Sequence, residues 1–184
     1  MSIEDIEEVL TEKLWSPKLV VVHSEKVVLA AAEYVIGDVV SENISSAAGA
    51  KPWVFKDCAK VNGGGGYITH ALIQAQTTAI GGWFALHLHN DMPTCELGDG
   101  IPSTCPILAD RAIYQGMIDF PVCTGIGTNE MDSSEAVPST VGRLPKAFVC
   151  RHDSRDLQGV LVIRNAVDLA DTTTLRITLW IEQY

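Results

Sequence analysis

The chain has 184 residues and a mass of 19.9 kDa, and 13 Lys and Arg residues against 23 Asp and Glu residues give a net charge of −10 at pH 7. Hydrophobic residues make up 47% and charged residues 20% of the sequence, which is typical of a globular rather than a disordered protein. The acidic balance disfavours nucleic acid and anionic membrane surfaces as partners, because both need clustered Lys and Arg. We expect one domain, residues 18–184, preceded by a short N-terminal arm, residues 1–17.

Two sequence features argue against membrane insertion or secretion. The longest apolar run, Lys26–Ile36, is shorter than the roughly 18 residues of a membrane span and contains Glu33. The first ten residues, MSIEDIEEVL, carry acids where a signal peptide needs a basic region. We therefore expect the protein to be made and kept in a cytosol.

Residues 2–14 are predicted to form one amphipathic helix. Ser2 and Asp5 fit a capping box at its start, and Pro17 ends it. A helix this short is marginally stable without tertiary contacts, so its apolar face either covers the domain core or docks on a neighbouring subunit. The candidate partner-binding residues are those of this face: Ile3, Ile6, Val9, Leu10 and Leu14.

After Pro17, short runs rich in β-branched and aromatic residues are separated by Gly, Pro, Asn, Asp and Ser. This spacing, without helix–strand alternation, predicts an all-β sandwich or barrel. The most regular strand is Thr174–Gln183, whose apolar residues recur at every second position. The other predicted strands are Lys18–Val22, Val27–Ile36, Val39–Glu42, Trp53–Lys56, Tyr67–Gln76, Trp83–His89, Tyr114–Phe120, Ala147–Arg151 and Gly159–Arg164.

Three glycine- and proline-rich stretches are predicted to be loops. Asp91–Asp110 and Cys123–Gly142 are long enough to be functional loops or to pack on a partner. The run Gly63–Gly66 is followed by no Lys and lacks the strand–helix context of a nucleotide-binding loop, so we interpret it as a turn between strands.

The cysteines do not form a recognisable metal or redox motif. The sequence has five, Cys58, Cys95, Cys105, Cys123 and Cys150, and no two of them are spaced as CxxC. We expect them to be buried, reduced thiols that behave as small hydrophobic side chains.

His87 and His89 are the pair of residues in the sequence most typical of a metal site. Residues i and i+2 of a strand point to the same side, so the two imidazoles could ligate one metal, as in the first motif of cupins. Glu96 or His152 would then have to supply a third ligand. The competing interpretation is two polar histidines on the solvent face of a strand. On balance the sequence assigns no catalytic residue, no metal ligand and no cofactor, and a cupin-like metal enzyme remains the alternative.

Several segments together resemble a known family. A strand (LHLHND) leads into Pro93–Thr94 and an acidic, glycine-rich stretch (ELGDGIP), and then into Leu108–Asp110. Strands ending in GMIDFP and of the form QGVLVIRNA follow, and the chain ends on RITLWIEQY. This pattern is similar to that of the small capsid decoration, or cement, proteins of tailed bacteriophages, and it covers most of the chain after residue 18.

The resemblance implies a jelly-roll-like β-sandwich with a short N-terminal helix or arm, and no enzymatic activity. It implies that the protein binds assembled major capsid protein, as a homo-oligomer and often a trimer, on the surface of a virion assembled in the host cytoplasm. The acidic balance suits the outside of a shell better than its DNA-facing inside. Another virion component, such as a head–tail or tail-surface protein, is an alternative on the same fold.

Overall fold

A computed structural model describes residues 16–28, 33–44, 49–77, 80–125, 131–169 and 173–184. The predicted helix over residues 2–14 lies outside these ranges, so its five candidate partner-binding residues are not tested. The described residues form ten strands: β1 (Lys18–Val27), β2 (Val39–Val40), β3 (Trp53–Phe55), β4 (Gly65–Ala75), β5 (Phe84–His89), β6 (Tyr114–Asp119), β7 (Asp132–Ala136), β8 (Lys146–Val149), β9 (Leu157–Ile163) and β10 (Thr174–Gln183). One short 3₁₀ turn covers Leu108–Asp110.

The strands make two antiparallel sheets of five. The first sheet has the order β1-β10-β4-β7, with β8 also pairing with β4, and the second has the order β2-β9-β5-β6, with β3 also pairing with β9. The chain changes sheet after β1, β3, β4, β6, β8 and β9, which is the connectivity of a jelly roll. The predicted all-β, jelly-roll-like sandwich is confirmed.

The core lies between the two sheets and is formed by the apolar side chains that occupy every second position of the strands. In β10 the side chains of Leu175, Ile177, Leu179 and Ile181 are all fully buried and face β5, which contributes Phe84, Leu86 and Leu88 from the other sheet. Burying one such side chain stabilises the fold by about 1.5–3 kcal/mol.

The second sheet is covered on its other side by the chain itself. The segment between β5 and β6, residues 90–113, crosses the outer face of this sheet; we call it the covering loop. Its apolar residues pack with outward-facing residues of the sheet in a second, smaller core. All six residues of β5 are buried as a result. This second core contains Val39, Ala50, Cys95, Leu97, Val160 and Val162, with Cys105 and Ile107 packed against it.

Three predictions about local structure need correction. Strand β1 continues to Val27, and the described part of the predicted strand Val27–Ile36 holds only a single-residue bridge, from Tyr34 to Val167. The predicted loop Cys123–Gly142 contains strand β7, whose polar sequence DSSEA hides it from a hydrophobic pattern. The four-glycine turn runs directly into β4, where a Cβ on Gly66 would lie 2.3 Å from the carbonyl oxygen of Glu182.

Within the ranges given above, no helix has both the length and the apolar character needed to cross a lipid bilayer.

Candidate functional site

The outer face of the first sheet carries a group of exposed apolar and aromatic side chains. Cross-strand register places Leu19 and Tyr67 in one row, on either side of Glu182, and Val21 beside Trp180 in the next. Because β4 also pairs with β8, Val149 joins this surface opposite Gly65. Leu19 is 62% exposed and Val149 is 56% exposed, so these side chains are not part of the core. The outer patch consists of Leu19, Val21, Tyr67, Val149, Trp180 and Tyr184.

Neighbouring side chains hold the aromatic rings of the outer patch in place. The rings of Tyr67 and Tyr184 meet edge to face at 5.8 Å, and Trp180 meets His70 in the same way at 4.8 Å. His70 is fixed in turn by Glu135, with 2.6 Å between its Nε2 atom and the carboxylate. Rings that are ordered before binding lose little conformational entropy when a partner covers them, which favours tight association.

The edge of β1 borders an open groove. Among the described strands β1 pairs only with β10, so one side of its backbone faces away from the sheet. The groove has a volume of about 650 Å³ and lies between β1 and the segment that follows β3, with Lys18, Lys56, Lys60 and Arg155 among its lining residues. An unpaired strand edge is a ready site for an additional strand.

The opposite side of the sandwich holds a buried cluster of one histidine and two cysteines. His89 ends β5, and Cys95 and Cys105 lie in the covering loop. The Nε2 atom of His89 lies 3.7 Å from the Sγ atom of Cys105, and one ligand atom from each of the three residues falls within 4.8 Å of the other two. Both cysteines are free thiols.

Burial keeps the two histidines of β5 neutral. It lowers the pKa of His87 to about 4, with a smaller contribution from the neighbouring His89. It also lowers the pKa of His89, while the Asp110 carboxylate acts in the opposite direction. The Nδ1 atom of His87 lies 3.1 Å from the Tyr114 hydroxyl oxygen. Neutral imidazoles keep a nitrogen lone pair, which is the form that binds metals.

The two thiols of the cluster interact with each other. A hydrogen bond between the Cys95 and Cys105 thiols lowers the pKa of Cys95 and raises that of Cys105. Elsewhere, burial, with a smaller contribution from the Asp132 carboxylate, raises the pKa of Cys123 to about 12, so that thiol stays protonated and inert at neutral pH.

The sequence-based interpretation of the histidine pair is partly wrong. His87 and His89 do share a face of β5, but that face lies beneath the covering loop: they are 7% and 0% exposed, not displayed to solvent. The third ligands considered do not join them. Glu96 turns its carboxylate to the backbone N–H groups of Leu97 and Gly98, and His152 is exposed. The group of potential ligands that the described residues assemble pairs His89 with cysteines instead.

Sequence analysis missed the outer patch and the two cysteines of the cluster, and only the first of these had a signal in the sequence. Trp180 occupies the wet face of the most regular predicted strand, so an aromatic residue there was a signal of an interaction surface. Cys95 and Cys105 are separated by nine residues, and only the path of the covering loop brings them to the end of β5.

The sequence matches no protein-family profile and no curated protein sequence. Among solved structures, the chain is similar to a chain of the capsid asymmetric unit of cyanophage Pam1, with 9% identity and a TM-score of 0.36 over 92% of this chain and 88% of that one. A chain of Desmodium yellow mottle tymovirus gives 13% identity and a TM-score of 0.26 over 91% and 87%. Likeness at these scores is too low to assign a function.

Proposed function

We propose that the protein is a non-enzymatic structural component of a tailed-bacteriophage virion, which decorates the assembled capsid and attaches to major capsid protein through the outer patch. The observation that carries this proposal is the contrast between the two sheets. The second sheet is covered by the chain's own loop, whereas the first leaves Leu19, Val21 and Tyr67 exposed beside Trp180.

The composition of the outer patch fits a protein partner. Tyr and Trp are enriched where protein surfaces meet, and contiguous exposed apolar groups on a soluble protein mark interaction sites. The jelly roll does not decide between partners, because capsid, lectin and cupin domains share it. The choice of a capsid partner rests on the sequence resemblance to decoration proteins.

A non-enzymatic role is supported by the surroundings of the histidine pair. A cupin-like enzyme would need these side chains to converge with a carboxylate or a third histidine at a pocket that substrate can enter. Instead the rings of His87 and His89 pack near Tyr114, at 5.9 and 5.3 Å, beneath the covering loop. We therefore propose that these histidines serve the fold rather than turnover.

The protein is further proposed to act as a homo-oligomer, most simply a trimer at local symmetry axes of the shell. Several copies joined together bind a repeating lattice far more tightly than one copy does, because later contacts form at high effective concentration. A modest contact area for each copy is then sufficient.

Shell binding tests this proposal directly. Purified protein is mixed with expanded shells, and with immature shells, of a tailed phage whose decoration protein has been removed, and the bound fraction is measured by sedimentation. Wild type is expected to bind expanded shells only. A Val21→Glu/Tyr67→Glu variant places two charges in the outer patch and is expected to bind at least about tenfold more weakly, because charge in the centre of an interface is costly.

The matched control is Leu108→Glu. Leu108, like Val21 and Tyr67, is an exposed apolar residue, at 77%, but it lies in the covering loop on the opposite side of the sandwich. This variant is expected to bind like wild type. Failure of wild type to bind expanded shells contradicts the decoration role, and equal loss in both variants contradicts the assignment of the outer patch.

The N-terminal arm gives a second prediction. Deleting residues 1–15 removes the predicted apolar face formed by Ile3, Ile6, Val9, Leu10 and Leu14. We expect loss of shell attachment or of the trimer, with an unchanged β-rich far-ultraviolet circular dichroism spectrum. Sedimentation velocity measures the oligomer, and an unchanged oligomer together with unchanged shell binding would refute a role for the arm.

A further inference from the structure

We propose that His89, Cys95 and Cys105 bind one zinc ion, which ties the covering loop to the end of β5. Three observations carry the inference: the donor types, their spacing and their supporting contacts. A neutral imidazole and two cysteine sulfurs, which bind as thiolates, are donors that zinc prefers in proteins.

The spacing suits a tetrahedral ion. Zinc bonds of about 2.3 Å to sulfur and about 2.0 Å to imidazole nitrogen hold the ligand atoms about 3.5–3.8 Å apart. The observed separation between His89 Nε2 and Cys105 Sγ is 3.7 Å, and no pair of the three ligand atoms is farther apart than 4.8 Å. Small side-chain rotations therefore suffice to close the site. Water completes the fourth position, and zinc displaces the thiol protons to solvent as it binds.

The contacts around the cluster orient the ligands. The Asp110 carboxylate accepts hydrogen bonds from the backbone N–H groups of Thr94 and Cys95, at 2.9 and 3.2 Å, and from the Thr94 hydroxyl at 2.6 Å. It thereby fixes the backbone that carries one ligand, Cys95. The ring of His89 is 0% exposed, and its Nδ1 atom has no hydrogen-bond partner among the described residues. The buried ring therefore makes its polar contact through Nε2, with the Sγ atom of Cys105.

The consequence is structural. The three ligands come from one strand end and from two points of the loop, ten residues apart in sequence. One ion would join them at the place where the chain leaves β5 and would hold the loop over the second sheet. This site lies on the opposite side of the sandwich from the outer patch, so zinc binding and shell binding are separable.

Metal titration of the full-length protein is the test. Protein purified under reducing conditions is stripped with a chelator, and Zn²⁺ is added and counted by elemental analysis after gel filtration. We expect about one zinc ion per chain and a rise of about 5–10 °C in the unfolding midpoint. Co²⁺ in place of zinc is expected to give a thiolate charge-transfer band and the intense visible bands of a tetrahedral site.

Variants identify the ligands. Cys105→Ser is the informative change, because Cys105 is the least buried ligand and serine is nearly isosteric, so the fold is expected to survive. It should lose the bound zinc, the cobalt bands and the rise in midpoint. Cys123→Ser, which changes a buried thiol outside the cluster, should keep all three. A wild type that retains no zinc, or a Cys105→Ser variant that binds zinc like wild type, would overturn the proposal.

Discussion

Replacing Asp110 with alanine is expected to lower the free energy of unfolding by about 2–4 kcal/mol in metal-free, reduced protein. The Asp110 carboxylate is 2% exposed and accepts three hydrogen bonds from Thr94 and Cys95. Alanine leaves all three donors without that acceptor; the Cys95 backbone is buried, whereas Thr94 is exposed, so water replaces part of what Thr94 loses. An unpaired buried polar group costs about 1–3 kcal/mol and a hydrogen bond at a partly exposed site about 0.5–1.5 kcal/mol, so the loss is a substantial part of the stability of a typical domain. Urea unfolding followed by circular dichroism measures the change.

The matched control for this prediction is Asp110→Asn. Asparagine keeps one side-chain oxygen as an acceptor and fills nearly the same space, so it should cost about 1–2 kcal/mol. Hydrogen exchange adds a local measurement, because the amides of Thr94 and Cys95 should exchange much faster in the alanine variant. If alanine and asparagine destabilise the protein equally, the hydrogen bonds of Asp110 are not what holds the covering loop.

The two-sheet architecture could be predicted because its signal is local. Period-two alternation locates β10 at the observed bounds, Thr174–Gln183, and β5 to within one residue. Where one face of a strand is buried and the other is wet, the sequence must alternate. Strand β7 could not be found in this way, because Asp132 and Ser134 take buried positions that apolar residues usually fill. There Asp132 bonds to the backbone N–H of Ile80, and the Ser134 hydroxyl bonds to the carbonyl oxygen of Pro121.

The candidate sites depend on longer-range information. Strand geometry places His87 and His89 on the same face of β5. Whether that face is exposed to solvent depends on the path of the covering loop, residues 90–113. The outer patch combines side chains from β1, β4, β8 and β10, and only the pairing register brings them together. A sequence pattern predicts which side chains of one strand share a face. Predicting a site that several strands form together also requires knowing which strands are neighbours and in what register they pair.

The second large effect is expected at Trp53, where an alanine should lower the free energy of unfolding by about 3–5 kcal/mol. Strand β3 pairs only with β9 among the described strands, yet Trp53 is 1% exposed. The side chain packs in the main core and makes two further contacts. Its indole Nε1 donates a hydrogen bond to the carbonyl oxygen of Val40 at 3.1 Å, and the Lys26 ammonium lies 5.5 Å from the ring centroid.

Alanine at position 53 would therefore remove more than one stabilising contribution. It opens a cavity in the main core and leaves the Val40 carbonyl without its donor. It also removes the aromatic ring beside the Lys26 ammonium, whose pKa is lowered by burial and raised to a smaller extent by Glu42. Trp53→Phe is the matched control, because it keeps most of the apolar volume and loses mainly the indole hydrogen bond. It is expected to lower the free energy of unfolding by about 1–2 kcal/mol. Urea unfolding of both variants separates packing from hydrogen bonding. A Trp53→Ala variant within about 1 kcal/mol of wild type would mean that the edge of the second sheet relaxes to fill the space.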